Sequence, residues 1–222
     1  MRLRTLTFFG VMTLVYTLGC GPKESSKHPA SRASGGRDRG SNTCGFMQDD
    51  LGNMITMVPK ISFLADKSFP EEFVPLIILA MNVWNEALEQ EVFSYGGRED
   101  HFNLETRSQS GSPSEARSLL QWSEIWPEDE NEKPAKAQTT ALDQKIVRAV
   151  ISFNAQDYSY STSAKEGTMD FKSVLVHELG HVLGLEHSEK SDSVMGSTLS
   201  KGSRRDSLGK SDYENLACGL KK

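Results

Sequence analysis

Three of the five histidines in this 222-residue chain, His177, His181 and His187, fall within the eleven residues HELGHVLGLEH. On a helix, residues four apart stand one turn apart and about 40° apart around the axis, so the imidazoles of His177 and His181 can reach one metal ion. Glu178 takes the neighbouring flank, beside such an ion without binding it. Gly184 is placed to end the helix, because glycine tolerates the left-handed conformation needed there. The turn then lets His187 return as a third ligand. Three neutral imidazoles with an open fourth position make a catalytic zinc site, whereas a structural site is closed by four protein ligands. The His pair with its Glu arises by chance in roughly one chain in 200 of this length, and the placed Gly and third His bring that below about one in 10⁵.

HExxHxxGxxH followed by a methionine resembles the signature of the metzincin metalloproteases. Ser188 directly after the third His, and Met195 eight residues after it, resemble the matrixin branch. The likeness covers most of residues 58–220. It implies an α+β fold, with a mixed, twisted five-stranded sheet and two long helices above a small C-terminal helical subdomain. One catalytic zinc would lie at the floor of the cleft between them, with Met195 beneath the imidazoles as an apolar base. The resemblance also implies a reaction on a peptide or protein substrate. Glu178 takes the proton of a zinc-bound water as it attacks a peptide carbonyl, then passes it to the leaving amine.

Two alternatives share the fold: a non-catalytic surface module that binds zinc or peptide, and a zinc hydrolase acting on another bond. Ser197 and Leu199 stand where matrixins usually carry Pro and Tyr, in the segment that walls the specificity pocket, so a substrate preference does not carry over. A second, structural zinc is not supported, because His101 is the sole histidine of the domain outside the motif. Calcium sites stay open, as acidic residues abound without EF-hand-like spacing.

The elements that position these residues are partly readable. Asp170–Leu183 places Phe171, Val174, Leu175, Leu179, Val182 and Leu183 at helical spacing, with Asp170 as N-cap. An earlier helix places Leu76, Ile77, Ala80, Met81, Trp84, Ala87 and Leu88 likewise, with Pro70 or Pro75 in its first turn and Trp84 in the core. Strands are expected at 61–65, 118–122, 135–140 and 145–153. Residues 94–117 read as polar and turn-rich, 127–134 as an acidic surface loop, and 211–217 as a short helix.

At the N-terminus, Arg2 and Arg4 precede an uncharged run, Thr5 to Leu18. That run is shorter than the roughly 20 residues a membrane-spanning helix needs, and suits a signal peptide. Residues 1–19 are therefore expected to direct export. Thr17-Leu18-Gly19-Cys20 resembles the lipobox of bacterial lipoproteins, with Thr17 in place of the usual Leu. Cys20 is then the lipidated residue, or else incidental to an ordinary cleaved signal. Residues 20–43 hold no large apolar side chain and read as a disordered linker. The catalytic domain spans 44–222, large enough for its own core.

Cys44 and Cys218 stand at opposite ends of that domain, and a disulfide between them suits an oxidising compartment. The other readings are two free thiols, or a Cys44 latency switch like that of matrixin propeptides, with Asn42 and Thr43 where the propeptide Pro and Arg would stand. The expected protein is a monomer, secreted or lipid-anchored to a bacterial membrane on its periplasmic or outer face. It touches that membrane only through the anchor. Of its formal charge of −5, residues 44–222 hold 18 basic and 28 acidic side chains, a poor surface for phosphate, which excludes nucleic acid as a partner.

Overall fold

Short runs of β-branched, aromatic and small residues build one twisted sheet. A computed structural model describes residues 14–19, 44–99 and 117–219. Cys20, the rest of the linker to 43, and His101 lie outside the described residues. The strands are β1 (Leu14–Gly19), β2 (Thr56–Met57), β3 (Ile61–Asp66), β4 (Phe93–Glu99), β5 (Ser118–Ser123), β6 (Ala135–Leu142) and β7 (Lys145–Asn154). Across the sheet they run β1-β6-β7-β5-β3-β4, with β2 paired to β7. From β7 through β5 and β3 to β4 all neighbours are parallel. β6 is antiparallel to β7, and β1 is antiparallel to β6 with Leu18 opposite Ala137.

The sheet therefore has seven strands among the described residues, against the five expected. Of these, β1 along β6 and two-residue β2 against β7 fall outside the strands the sequence predicts. Residues 93–99 form β4 where a turn-rich stretch was expected. FSYGGRE shows no apolar alternation because, among the described residues, it lies at the sheet edge with β3 as its one partner. Its glycine permits close packing: a Cβ on Gly96 would stand 3.0 Å from Leu64 Cδ2 and 3.1 Å from Ser62 Oγ.

Three α-helices accompany the sheet among the described residues. In α1 (Val74–Ala87), Pro75 sits in the first turn, where its missing N–H leaves no bond unmade. Pro70 instead opens the short 3₁₀ turn before it. Ile77, Ala80, Met81 and Trp84 form the buried face of α1, and Trp84 Nε1 donates to the Val176 carbonyl at 2.9 Å. Trp84 is thus a core residue, as expected.

That carbonyl belongs to α2 (Phe171–Leu183), in which only Lys172 escapes full burial. A helix covered on every side fits its position between the sheet and the C-terminal segment. An aromatic cluster of Phe69, Phe73, Trp122, Phe153 and Phe171, with centroids 4.5 to 6.1 Å apart, anchors its N-terminal end. The two-residue strands β8 (Tyr160–Ser161) and β9 (Met169–Asp170) lead into it, and α3 (Lys210–Gly219) closes the domain. No helix among the described residues is long and apolar enough to cross a membrane.

Candidate metal centre

Helix α2 is fixed at both ends. Asp170 accepts from the Ser173 amide at 3.0 Å, the N-cap bond the sequence predicts. At the other end Gly184 takes φ 102°, and a Cβ there would collide with the Ile55 carbonyl. The chain leaves the helix at that point, and a short antiparallel segment holds the turn. Met47 N donates to Gly184 O at 2.7 Å and Glu186 N to Gly45 O at 2.8 Å. Cys44, directly before this segment, is disulfide-bonded to Cys218 of α3, with Cα atoms 5.4 Å apart. A bonded Cys44 cannot also serve as a thiolate switch.

This frame brings His177, His181 and His187 together. One potential ligand atom from each lies within 4.8 Å of the others. His177 Nδ1 bonds the Val194 carbonyl at 2.8 Å, and His181 Nδ1 bonds the Leu185 carbonyl at 2.7 Å. A carbonyl can only accept, so both Nδ1 atoms carry the proton and both Nε2 atoms present lone pairs. His181 Nε2 lies 3.1 Å from His177 Nε2 and 3.2 Å from His187 Nε2. Lone pairs at that separation repel one another unless a cation lies among them, so the donor set fits a metal ion with nitrogen ligands. His187 is half-buried, whereas the other two are buried. The open side of the site is therefore next to His187.

A second layer supports the first. Met195 is fully buried, and its carbonyl accepts from Ser188 N at 2.9 Å, tying the turn to the residue after His187. Asp212, buried in α3, accepts from Ser193 Oγ at 2.5 Å, Val194 N at 3.0 Å and Gly209 N at 2.9 Å. Asp212 thereby holds the Val194 carbonyl where His177 needs it. Sequence reasoning missed Asp212. A first-turn Asp is visible in the sequence, but Val194 and Ser193, the partners that tie it to the metal turn, lie 18 and 19 residues away.

Burial, opposed by the Val194 hydrogen bond, lowers His177 to about 4, and the His187 and Arg205 charges add to the lowering. His181 and His187 are lowered as well, by burial first. All three imidazoles are neutral at pH 7 and ready to ligate. Glu178 goes the other way. Burial pushes its carboxyl up to about 8, with the Ala137 amide and the Lys133 charge opposing. The Ala137 amide lies close enough to favour the charged form without reaching hydrogen-bond geometry, so both Glu178 oxygens are buried with no hydrogen-bond partner. A cation opposite would favour the ionised form. A cavity of about 10 Å³ opens beside Glu178 and His177, bounded by Pro134 at the start of β6 and by Leu199.

The family pattern described as Matrixin matches residues 79–217. Two curated relatives are similar over a shorter stretch. Metalloendoproteinase 5-MMP and Metalloendoproteinase 2-MMP of Arabidopsis thaliana are 46% and 44% identical over 48 residues, 22% of this chain. The chain spans only 13% of the length of each of these relatives.

Proposed function

The chain belongs to the matrixin family, and from that premise we propose that it is a zinc-dependent endopeptidase. The observation that carries this reading is the pairing of the three convergent imidazoles with the buried, unpartnered carboxylate of Glu178. A buried carboxylate with no hydrogen-bond partner among the described residues is expensive in a purely structural setting and is explained by chemistry. Zinc held by His177, His181 and His187 would supply the Lewis acidity that polarises the scissile carbonyl and acidifies the attacking water.

The remaining work falls to the chain's own groups. The Val194 and Leu185 carbonyls keep the His177 and His181 rings in the tautomer that leaves Nε2 free. Glu178 accepts the proton of the attacking water on a carboxylate oxygen and returns it to the leaving amine nitrogen. The raised affinity of this carboxyl for a proton suits the carrier role. Met195 fills the space beneath the rings and excludes water there.

Zinc-loaded chain and Glu178→Gln should be incubated in parallel with a diverse peptide mixture, and new termini read by mass spectrometry. Cleavage by the parent and its loss in the variant support the reading. Silence from both, with one zinc bound per chain, shifts it to a non-catalytic zinc- or peptide-binding module. Cleavage by both removes Glu178 from its role.

We also propose that the chain is exported, with Cys20 carrying lipid; loss of residues 1–19 would then take β1 away and leave β6 as the sheet edge. The Cys44–Cys218 disulfide suits an oxidising compartment. Labelled fatty acid should enter the expressed parent and not Cys20→Ser.

A further inference from the structure

We propose that Arg205 makes the pocket beside Glu178 selective for a short acidic side chain on the substrate residue that supplies the leaving amine. This rests on the endopeptidase reading and adds a substrate class to it. The pocket borders Glu178, which in that reading protonates the leaving nitrogen, so the side chain of the residue bearing that nitrogen is the one within reach.

Arg205 is the one cation among the residues lining this cavity. Its backbone is fixed: Arg205 N donates to Ser173 Oγ at 2.8 Å, and that hydroxyl donates to Asp170 Oδ1 at 2.6 Å. The guanidinium passes over Gly196, where any Cβ would collide with Nη1. The residues on either side of Arg205 are already paired with the start of α2. Arg204 pairs with Asp170 at 3.4 Å, and Asp206 with Lys172 at 3.1 Å. Among the described residues no carboxylate pairs with Arg205. Among those residues its side chain makes one long hydrogen bond, from Nη1 to Gly196 O at 3.5 Å.

A guanidinium offers five donors in a planar fork that matches a carboxylate through two parallel bonds. Among the described residues most of that capacity has no partner, and Arg205 lines the pocket beside Glu178. The cavity volume of about 10 Å³ is room for about one water, so unless its walls move it admits only the tip of a side chain, which disfavours a long apolar one. Leu199 supplies an apolar wall along which the substrate methylene would lie.

The test uses the zinc-loaded chain and peptides that differ only at the residue after the cleaved bond: Asp, Asn, Leu or Lys. Asp should exceed its isostere Asn in kcat/KM on the order of tenfold, the scale of a charge-assisted bond, with Lys slowest. Arg205→Gln should collapse the Asp/Asn ratio towards one, while Arg205→Lys should keep part of it. An Asp/Asn ratio near one in the parent, or one unchanged in Arg205→Gln, overturns the proposal.

Calorimetric binding of the same peptides to zinc-loaded Glu178→Gln reads the pocket without turnover. Asp-selective binding that needs Arg205, in a parent that cleaves nothing, upholds the pocket and sinks the endopeptidase reading. Cleavage with no Asp preference does the reverse. Neither cleavage nor Asp-selective binding sinks both.

Discussion

Gly180 lies so close to Met195 that a Cβ on residue 180 would overlap the Met195 sulfur. It would also stand 3.0 Å from both Met195 Cε and Trp84 Cζ2. Gly180 is helical and has ordinary backbone angles, so its role is space and not conformation. Its neighbour in sequence is the metal-ligand candidate His181. The α2 backbone therefore rests directly on Met195 and on the tryptophan of α1.

Gly180→Ala should push Met195 and α2 apart. Overpacking of this kind destabilises by about 1–3 kcal/mol. Zinc affinity should fall with it, since His177 and His181 ride on the displaced helix. Denaturant midpoints and zinc titrations of the parent and variant check both effects. A variant with parental stability and affinity would show that Met195 gives way without disturbing the rings.

Zinc binding should release a proton, and the proton should come from Glu178. With the carboxyl at about 8 in the stripped chain, it is mostly protonated at pH 7, while His177 at about 4 is already neutral and ligates without releasing a proton. A cation nearby reverses the balance at Glu178. Calorimetric titration in buffers of different ionisation enthalpy should give about one proton per zinc for the parent and near zero for Glu178→Gln. Peptide hydrolysis by that variant should drop by about 10² to 10⁴, the range for a lost general base.

The stability of the metal-stripped chain should peak between acid and alkaline limbs. His177 falls from 6.5 when unfolded to about 4 when folded, so between those pH values only the unfolded state binds its proton. Stability is therefore lost as pH falls through that window, and the lowered His181 and His187 act in the same sense. Glu178 rises from 4.5 to about 8, so its contribution is intact below 4.5 and lost as pH climbs towards 8. Three imidazoles outweigh one carboxyl on the acid side. Urea midpoints from pH 4 to 9 should show both limbs, and Glu178→Gln should flatten only the alkaline one.

What was legible in the sequence was what is local. The spacing of His177 and His181, the Asp170 cap and the Gly184 stop each depend on residues within one or two helical turns, where periodicity carries the information. β4 escaped because an edge strand containing Gly96 and Gly97 has no two-faced pattern to show. Asp212 and Arg205 escaped for a different reason. Their roles arise from contacts with residues 193–194 and with Ser173, set by how α3 and the preceding loop fold back over α2. No spacing along the chain encodes that return.

Asp212→Ala tests that return directly. The variant strips the acceptor from Ser193 Oγ, Val194 N and Gly209 N, all near a buried position. Leaving such donors unpaired costs about 1–3 kcal/mol each, so a loss of about 3 kcal/mol or more is expected. Because Val194 also carries the carbonyl that orients His177, zinc affinity should fall by about 10- to 100-fold, as for other supports of metal ligands. Asp212→Asn, which keeps one acceptor oxygen, should recover part of both. A variant that loses stability but keeps parental zinc affinity would separate the turn from the metal site.

The disulfide predicts a coupling between redox state and metal binding. Cys44 and Cys218 are 174 residues apart, so the bond constrains nearly the whole domain in the unfolded state. The chain-entropy relation puts such a loop at up to about 5 kcal/mol. Its local effect is more specific. The residues after Cys44 hold the turn that brings His187 round, through Glu186 N on Gly45 O and Met47 N on Gly184 O. Cys218 belongs to the same helix as Asp212, which fixes Val194. One bond thus ties the support of His187 to the support of His177. Reduction, or Cys44→Ser with Cys218→Ser, should lower the melting temperature and also weaken zinc binding, though the ligand group contains no cysteine. Zinc titration of the reduced chain, at a temperature where circular dichroism shows it still folded, separates the two effects. Unchanged affinity there would mean the bond acts only on the unfolded state.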